Sequence, residues 1–272
     1  MTDRQKRRHI VITGGTRGIG YGMAIEFLKR GHRITITGRT DESISKAIKS
    51  LRTLADPERI NGMACSAGSK RNTDALWVYA ESIAPVDIWI NNAGVNHETK
   101  PFHELDYKDL ENVIESNISG TVIATNVALK GMLIQGHGSL YNMEGLGSDG
   151  RIIVGESIYG MSKRAIQYFT KSLAKEYKNG PVIIGSISPG MVVTDMITHT
   201  FEDDAEEHAG ALKIFHILSD SVDTVTPWIV ERILNNKKNG AHFAWLTPRK
   251  IMWRFTRNIF LKRKVEGLPP RT

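Results

Sequence analysis

A tyrosine and a lysine four residues apart, Tyr159 and Lys163, form the most reactive pair that the sequence offers. On a helix, side chains with this spacing lie on one face, so the phenol and the ammonium can meet in one cleft. Tyrosine has an ordinary pKa of about 10 and is a poor acid near neutral pH without help. A nearby ammonium stabilises the phenolate and lowers this pKa. The pair therefore predicts proton exchange between the tyrosine and a bound oxygen.

A site of this kind usually needs a second hydroxyl that holds the substrate oxygen. The segment before the pair, NMEGLGSDGRIIVGESIYGMSK, offers Glu144, Ser148 and Ser157. Ser157 lies at the start of the predicted helix, where an N-cap role explains it. Two glycines before Ser148 would let the backbone bend and bring its hydroxyl in. We therefore predict Ser148, with Glu144 or a backbone N–H as the alternative donor; Glu144 could instead hold a substrate hydroxyl.

A glycine-rich loop, TGGTRGIG at 13–20, follows the first predicted strand and opens the first predicted helix. Its glycines permit a tight turn and a close backbone approach to a pyrophosphate, and the helix N-terminus favours the negative charge. A cofactor with a free 2′-hydroxyl usually meets a carboxylate at the end of the second strand. This chain has Gly38 and Arg39 there, and Arg17 lies in the loop. Two guanidinium groups suit a 2′-phosphate, so the sequence predicts NADPH, with two solvated surface arginines as the alternative.

The elements that must position these residues alternate along the chain. Short β-branched segments predict strands at 9–15, 33–39, 60–66, 86–94, 138–143 and 182–190, with a late strand at 242–248. Helix-length segments lie between them at 18–30, 41–55, 72–83, 106–134 and 157–178. Continuously apolar strands are buried on both faces, as in a parallel sheet covered by helices. The pattern predicts one α/β domain over 1–272, a doubly wound parallel sheet flanked by helices.

The composition is that of an ordinary soluble globular protein. Among the 272 residues, 40% are hydrophobic and 24% are charged. No apolar run approaches the roughly 18 residues of a membrane span, and the basic N-terminus lacks the apolar region of a signal peptide. A single cysteine, Cys65, excludes an internal disulfide and a cysteine metal cluster. We therefore expect no metal site and a reducing compartment, either a bacterial cytoplasm or, for a mature plastid form, the plastid stroma.

The net charge of +7 is concentrated in a C-terminal tail, residues 249–272. Seven basic residues and no acids lie between Arg249 and Lys264, so the rest of the chain is near neutral. This pattern argues against nucleic-acid binding, which spreads positive charge over a face of the fold. Apolar residues at near-helical spacing alternate with the arginines, which is typical of a basic amphipathic helix. We favour docking of this helix on its own core or on a partner subunit, with peripheral membrane contact as the alternative.

Five motifs taken together resemble the short-chain dehydrogenases/reductases over nearly the whole chain. They are TGGTRGIG, NNAG at 91–94, Asn117 within ESNISG, the Tyr159 and Lys163 pair, and SPGMVVTD at 188–195. The resemblance implies a Rossmann fold, NAD(P)-dependent redox chemistry and a tetrad of Asn117, a serine, Tyr159 and Lys163. Lys163 would also hold the nicotinamide ribose, and Asn117 would link it to solvent through a kinked helix and a water. In most members the serine precedes the tyrosine by thirteen residues, a position that Leu146 occupies here.

The resemblance also implies the residues that contact cofactor and substrate. Thr194 corresponds to the contact with the nicotinamide carboxamide, and 91–94 to the loop beside the adenosine ribose. The implied cofactor contacts are Gly14, Thr16, Arg17, Gly18, Ile19, Gly20, Arg39, Asn91, Ala93, Gly94, Tyr159, Lys163, Pro189, Gly190, Val192 and Thr194. Residues 195–221 correspond to a variable lid over the substrate. The predicted substrate contacts are Glu144, Met191, Met196 and Phe201, for whose apolar members core packing is the alternative.

A narrower resemblance is to the chlorophyll(ide) b reductases of this superfamily. It depends on DIWINNAG, NMEGLGSDG, SPGMVVTD and a late LTP followed by the basic tail. Most relatives in the superfamily have two serines where this chain has Glu144 and Gly145. The resemblance implies a tetrapyrrole substrate, whose C7 formyl group is reduced to a hydroxymethyl group, and a homo-oligomer built through the long helices. Reduction of a steroid, quinone or oxoacyl group, or NADPH sensing without turnover, are the other hypotheses.

Overall fold

The computed structural model describes residues 7–194, 209–261, 265, 267 and 268. Within this part of the chain, the strands are His9–Ile12 (β1), Arg33–Gly38 (β2), Ile60–Ala64 (β3), Ile88–Asn91 (β4), Gly138–Met143 (β5), Val182–Ser188 (β6), Val192–Val193 (β7), Asp220–Ser221 (β8) and His242–Ala244 (β9). Seven of them form one parallel sheet in the order β3-β2-β1-β4-β5-β6-β9, and β7 pairs with β8. The seven strands predicted from the sequence are the strands of this sheet.

Helices cover both faces of the sheet. The described α-helices are Gly18–Lys29 (α1), Asp41–Leu51 (α2), Lys70–Ile83 (α3), Tyr107–Val113 (α4), Gly120–Gln135 (α5), Ser157–Glu176 (α6), Ala209–Leu218 (α7), Val222–Asn235 (α8) and Pro248–Phe260 (α9). On β1, Ile10 and Ile12 belong to one apolar core and Val11 to the other, because alternate side chains point to opposite faces. The first core includes residues of α1, α2 and α8, and the second includes residues of α3, α5 and α6. The doubly wound Rossmann-type architecture predicted from the sequence is confirmed.

The predicted helix 106–134 is divided in the structure. α4 ends at Val113, and a π-helical segment, Ile114–Ser119, joins it to α5. In a π-helical segment each backbone hydrogen bond spans five residues instead of four, and such segments are frequent at functional sites. Here it contains Asn117, whose side chain is fully buried. The irregular segment lies where the family resemblance implied a kinked helix at Asn117.

The sequence analysis interpreted the region after β7, residues 195–221, only as a substrate lid. Residues 195–208 lie outside the described residues, and with them the predicted substrate contacts Met196 and Phe201. The described remainder of 195–221 forms α7 and β8, and α8 follows directly. None of the helices in the described ranges is both long and apolar enough to cross a membrane.

Candidate active site

A cleft with a volume of about 420 Å³ opens at the carboxyl ends of the strands. The glycine-rich loop between β1 and α1 forms one wall. Gly14 and Gly18 have φ angles of 64° and 56°, which side chains rarely adopt. A Cβ at Gly20 would lie 2.3 Å from the Gly14 carbonyl oxygen. The loop therefore requires glycine, and it leaves room for a phosphate group beside the backbone.

Most of the predicted cofactor contacts line this cleft. They are Gly14, Thr16, Arg17, Gly18, Ile19, Arg39, Ala93, Gly94, Tyr159, Lys163, Pro189, Gly190, Val192 and Thr194. At the end of β2, the lining consists of Thr37, Gly38 and Arg39, so the position expected for a ribose-binding carboxylate holds a guanidinium group. The glycine cradle and the basic residues beside it fit a nicotinamide dinucleotide.

Two predicted cofactor residues lie elsewhere. Asn91 is buried in the core, where its amide donates to Thr125 Oγ1 at 2.9 Å and to Asn142 Oδ1 at 2.8 Å. Asn92 lines the cleft instead, and its amide donates to the Gly14 carbonyl at 3.0 Å. The alternation of side chains along an extended chain explains the difference, because neighbouring residues point to opposite sides. Gly20 is not among the residues that line the cleft, and it packs closely against the Gly14 carbonyl within the loop.

Tyr159 and Lys163 share one face of α6 and meet in the cleft, as the spacing predicted. The Lys163 ammonium nitrogen lies 5.6 Å from the centroid of the Tyr159 ring. Burial raises the pKa of the Tyr159 hydroxyl, and the Glu156 carboxylate adds to this effect. Burial lowers the pKa of Lys163 to about 8, against the opposing influence of Glu144. The direction of the Tyr159 shift is opposite to the lowered tyrosine pKa predicted from the spacing, because burial and the Glu156 carboxylate both disfavour the phenolate.

Asn117 connects the π-helical segment to the loop that follows β4. Its side-chain oxygen accepts from the Val95 N–H at 2.8 Å, and its amide donates to the Val95 carbonyl at 2.9 Å. The amide also donates to Ser162 Oγ on α6 at 3.0 Å. A Cβ at Gly94 would lie 3.0 Å from Asn117 Oδ1 and 3.3 Å from Lys163 Nζ. The asparagine thus fixes the backbone that packs against the lysine.

The structure does not place Ser148 at the cleft. The residue is buried, its hydroxyl hydrogen-bonds to Glu144, and its carbonyl accepts from Arg164 at 2.9 Å. Gly145 is the residue that faces the tyrosine, because a Cβ there would lie 2.6 Å from Tyr159 Oη. The loop between Gly145 and α6 therefore carries Ser148 away from the tyrosine rather than bulging back toward it.

Glu144 belongs to the lining of the cleft, and its carboxylate is buried beneath the loop. It is 2% exposed, with Oε1 at 3.4 Å from His242 Nδ1 and Oε2 at 3.5 Å from Gln167 Nε2. Burial would raise the pKa of this carboxyl, but hydrogen bonds from His242 and Ser186 outweigh it and lower the pKa. Glu144 is therefore a buried anionic group in the cleft wall that favours the charged form of Lys163, and its contact with a substrate stays a prediction.

The sequence analysis missed Glu156, which precedes Tyr159 by three residues and lines the cleft. Its Oε1 accepts from Thr99 Oγ1 at 2.8 Å and from the Asn96 amide at 3.3 Å. Its Oε2 is buried and makes no hydrogen bond to the part of the chain that the structure describes. A carboxylate one helical turn before a predicted catalytic tyrosine was the available signal. Apolar residues complete the wall, among them Ile153, Val154, Met191 and Phe215.

The chain belongs to the short-chain dehydrogenase family, whose model matches residues 8–205. It is therefore an oxidoreductase of that family. A chlorophyll(ide) b reductase of Oryza sativa subsp. japonica is 32% identical over 267 residues, which cover 94% of this chain and 76% of that protein. A protein named as a probable chlorophyll(ide) b reductase in Arabidopsis thaliana is 29% identical over 90% of this chain. This chain spans only 52% of that relative, about half of its length.

Solved structures share the same fold. A variant of actinorhodin polyketide ketoreductase with NADPH superposes with a TM-score of 0.78 at 25% identity, covering 89% of this chain and 96% of that one. Levodione reductase superposes with a TM-score of 0.80 at 20% identity, covering 89% and 97% of the two chains. Together with the glycine cradle and the family match, the ketoreductase with NADPH supports a nicotinamide cofactor in the cleft.

The positions of Gly145 and Ser148 generate a paired prediction. Gly145→Ala should lower kcat by at least about tenfold, because its new methyl group would displace the Tyr159 hydroxyl from its position. Ser148→Ala should keep kcat within about threefold of the wild type, since its hydroxyl faces Glu144 and not the cleft. Steady-state kinetics with any accepted carbonyl substrate measures both, and circular dichroism checks folding. The reverse ranking of the two variants would restore Ser148 as the catalytic hydroxyl.

Proposed function

We propose that the chain is an NADPH-dependent carbonyl reductase, and that its substrate is the C7 formyl group of chlorophyll b or chlorophyllide b. Gly145 is the observation that carries this proposal. The segment NMEGLGS, typical of the chlorophyll(ide) b reductases, sets this glycine opposite Tyr159, where most relatives have a serine. The named relatives at about 30% identity support the same substrate.

In the proposed reduction, Tyr159, Lys163 and Asn117 have different roles. A bound nicotinamide supplies the hydride that the carbonyl carbon receives. Tyr159 donates its proton to the carbonyl oxygen, for which the protonated phenol is the required form. Lys163 carries the positive charge that steadies the phenolate left behind, and Asn117 holds the loop against which Lys163 packs. Apolar residues that line the cleft, including Ile153 and Phe215, would bind the hydrophobic body of the substrate.

We further propose a homo-oligomer that forms through α4, α5 and α6. Large apolar side chains on these helices face solvent in the single chain, among them Tyr107, Ile134 and Tyr168, which are 74%, 89% and 75% exposed. Exposed apolar patches of this kind are typical of protein–protein contacts.

The preference for NADPH is tested at Arg39. The Arg39→Ala variant should raise the KM for NADPH by about 10- to 100-fold, because a charge-assisted contact with the 2′-phosphate is lost. Its KM for NADH, which lacks that phosphate, should change by less than about threefold. Arg52→Ala, an exposed arginine outside the cleft, is the matched control and should change neither value. Equal losses with both cofactors would contradict the assignment.

The substrate is tested by incubating purified protein with NADPH and chlorophyllide b and following the visible spectrum. We expect loss of the formyl-type spectrum and formation of the hydroxymethyl product, and Tyr159→Phe should slow this by about 10²- to 10⁴-fold. NADPH oxidation with small ketones or steroids, without change in chlorophyllide b, would favour another apolar carbonyl substrate. Tight NADPH binding without turnover of any carbonyl would favour a sensor.

A further inference from the structure

Helix α9 presents a set of large apolar side chains to solvent. These exposed side chains are Met252, Trp253, Phe255 and Ile259, followed by Leu261 just after the helix. Trp253 is 55% exposed and Ile259 is 76% exposed, although tryptophan and isoleucine are usually buried. Several exposed large apolar side chains on one helix usually mark a contact with something outside the chain.

The opposite side of α9 is fixed to the chain by one buried arginine. Arg254 is 8% exposed, and its guanidinium group donates to Asp220 Oδ2 and to the Leu218 carbonyl, both at 2.6 Å. Asp220 also accepts from the Trp245 indole N–H at 2.5 Å. The helix is therefore docked on its own chain, as the sequence analysis favoured. This docking sets its orientation and leaves the apolar side chains pointing outward.

The charge of the helix limits what can cover this surface. Between Pro248 and Leu261 the sequence has four basic residues and no acidic residue, and Lys262, Arg263 and Lys264 follow. Arg249 and Arg257 are exposed, and the Arg257 guanidinium lies 5.1 Å from the centroid of the Trp253 ring. A second copy of the same helix would bring like charges together. A surface with anionic head groups above an apolar layer complements both features.

We propose that α9 lies on an anionic lipid surface, with its outward apolar side chains inserted at the boundary between head groups and acyl chains. The helix begins close to the cleft, since Leu246 lies against Gly190 in the cleft wall. It also packs against α7, which contributes Phe215 to that wall. Lipid contact would therefore bring the cleft near the membrane surface, whatever the substrate is.

A vesicle flotation assay tests this inference on the full chain. We expect the protein to float with phosphatidylcholine vesicles that contain phosphatidylglycerol, and not with pure phosphatidylcholine. Trp253→Ser/Phe255→Ser should lower the bound fraction at least about tenfold, and Arg249→Glu/Arg257→Glu should do the same. Leu54→Ser/Val78→Ser changes two exposed apolar residues, one in the turn after α2 and one on α3, and this matched control should bind as the wild type does.

Thermal unfolding of each variant shows that it is folded, and analytical ultracentrifugation reports its state of association. Absence of flotation by the wild-type protein would overturn the inference. Equal flotation of the wild type and the Trp253→Ser/Phe255→Ser variant would also overturn it. A wild-type oligomer that ignores vesicles and dissociates in this variant would assign the surface to a second copy.

Discussion

The site depends on keeping one ammonium group inside the protein beside a phenol. Lys163 is 5% exposed, and burying a charge is costly unless its surroundings are polar. The cost appears as a pKa lowered from 10.5 to about 8. Because unfolding restores the ordinary value, this group opposes folding at neutral pH, and the opposition fades as pH rises from about 8 toward 10.5. The negative charge of Glu144 in the cleft wall reduces the cost, and the loop held by Asn117 packs against the same nitrogen. Three separate parts of the fold are therefore arranged around Lys163.

The second constraint is that the residue opposite the Tyr159 hydroxyl, Gly145, has no side chain. Gly145 offers no hydroxyl to the Tyr159 oxygen that it faces, so Tyr159 is the proton donor in the proposed reaction. Glu156, one turn before the tyrosine, and burial both favour its protonated form. A protonated phenol suits a reductase, because the developing alkoxide is a stronger base than the phenolate. A glycine here also leaves space beside the tyrosine, which suits the formyl substrate proposed above.

Local patterns predicted the sheet and most of the cleft, because strand periodicity, glycine loops and the Tyr159–Lys163 spacing are properties of short segments. The residues that were predicted wrongly or missed are those whose positions depend on packing between segments distant in sequence or on the local direction of the backbone. Asn91 and Asn92 are adjacent, and only the pleat of β4 decides which one reaches the cleft. Ser148 was chosen by counting along a loop whose direction is set by its packing against Glu144 and Arg164. Glu156 was missed because its importance comes from contacts with Thr99 and Asn96, which lie far away in sequence. The direction in which the pKa of Tyr159 shifts could not be predicted either, since it depends on how deeply the folded chain buries the hydroxyl.

The central claim is that Tyr159 is held as a neutral proton donor beside a buried lysine. Tyrosine labelled with ¹³C at the ring carbon that bears the hydroxyl reports this directly by NMR, and the Tyr159→Phe variant identifies the resonance among the seven tyrosines. The account predicts that the Tyr159 signal keeps its protonated chemical shift when the pH is raised to about 10, where an ordinary tyrosine is half ionised. A phenolate signal from Tyr159 with a midpoint near neutral pH would contradict it.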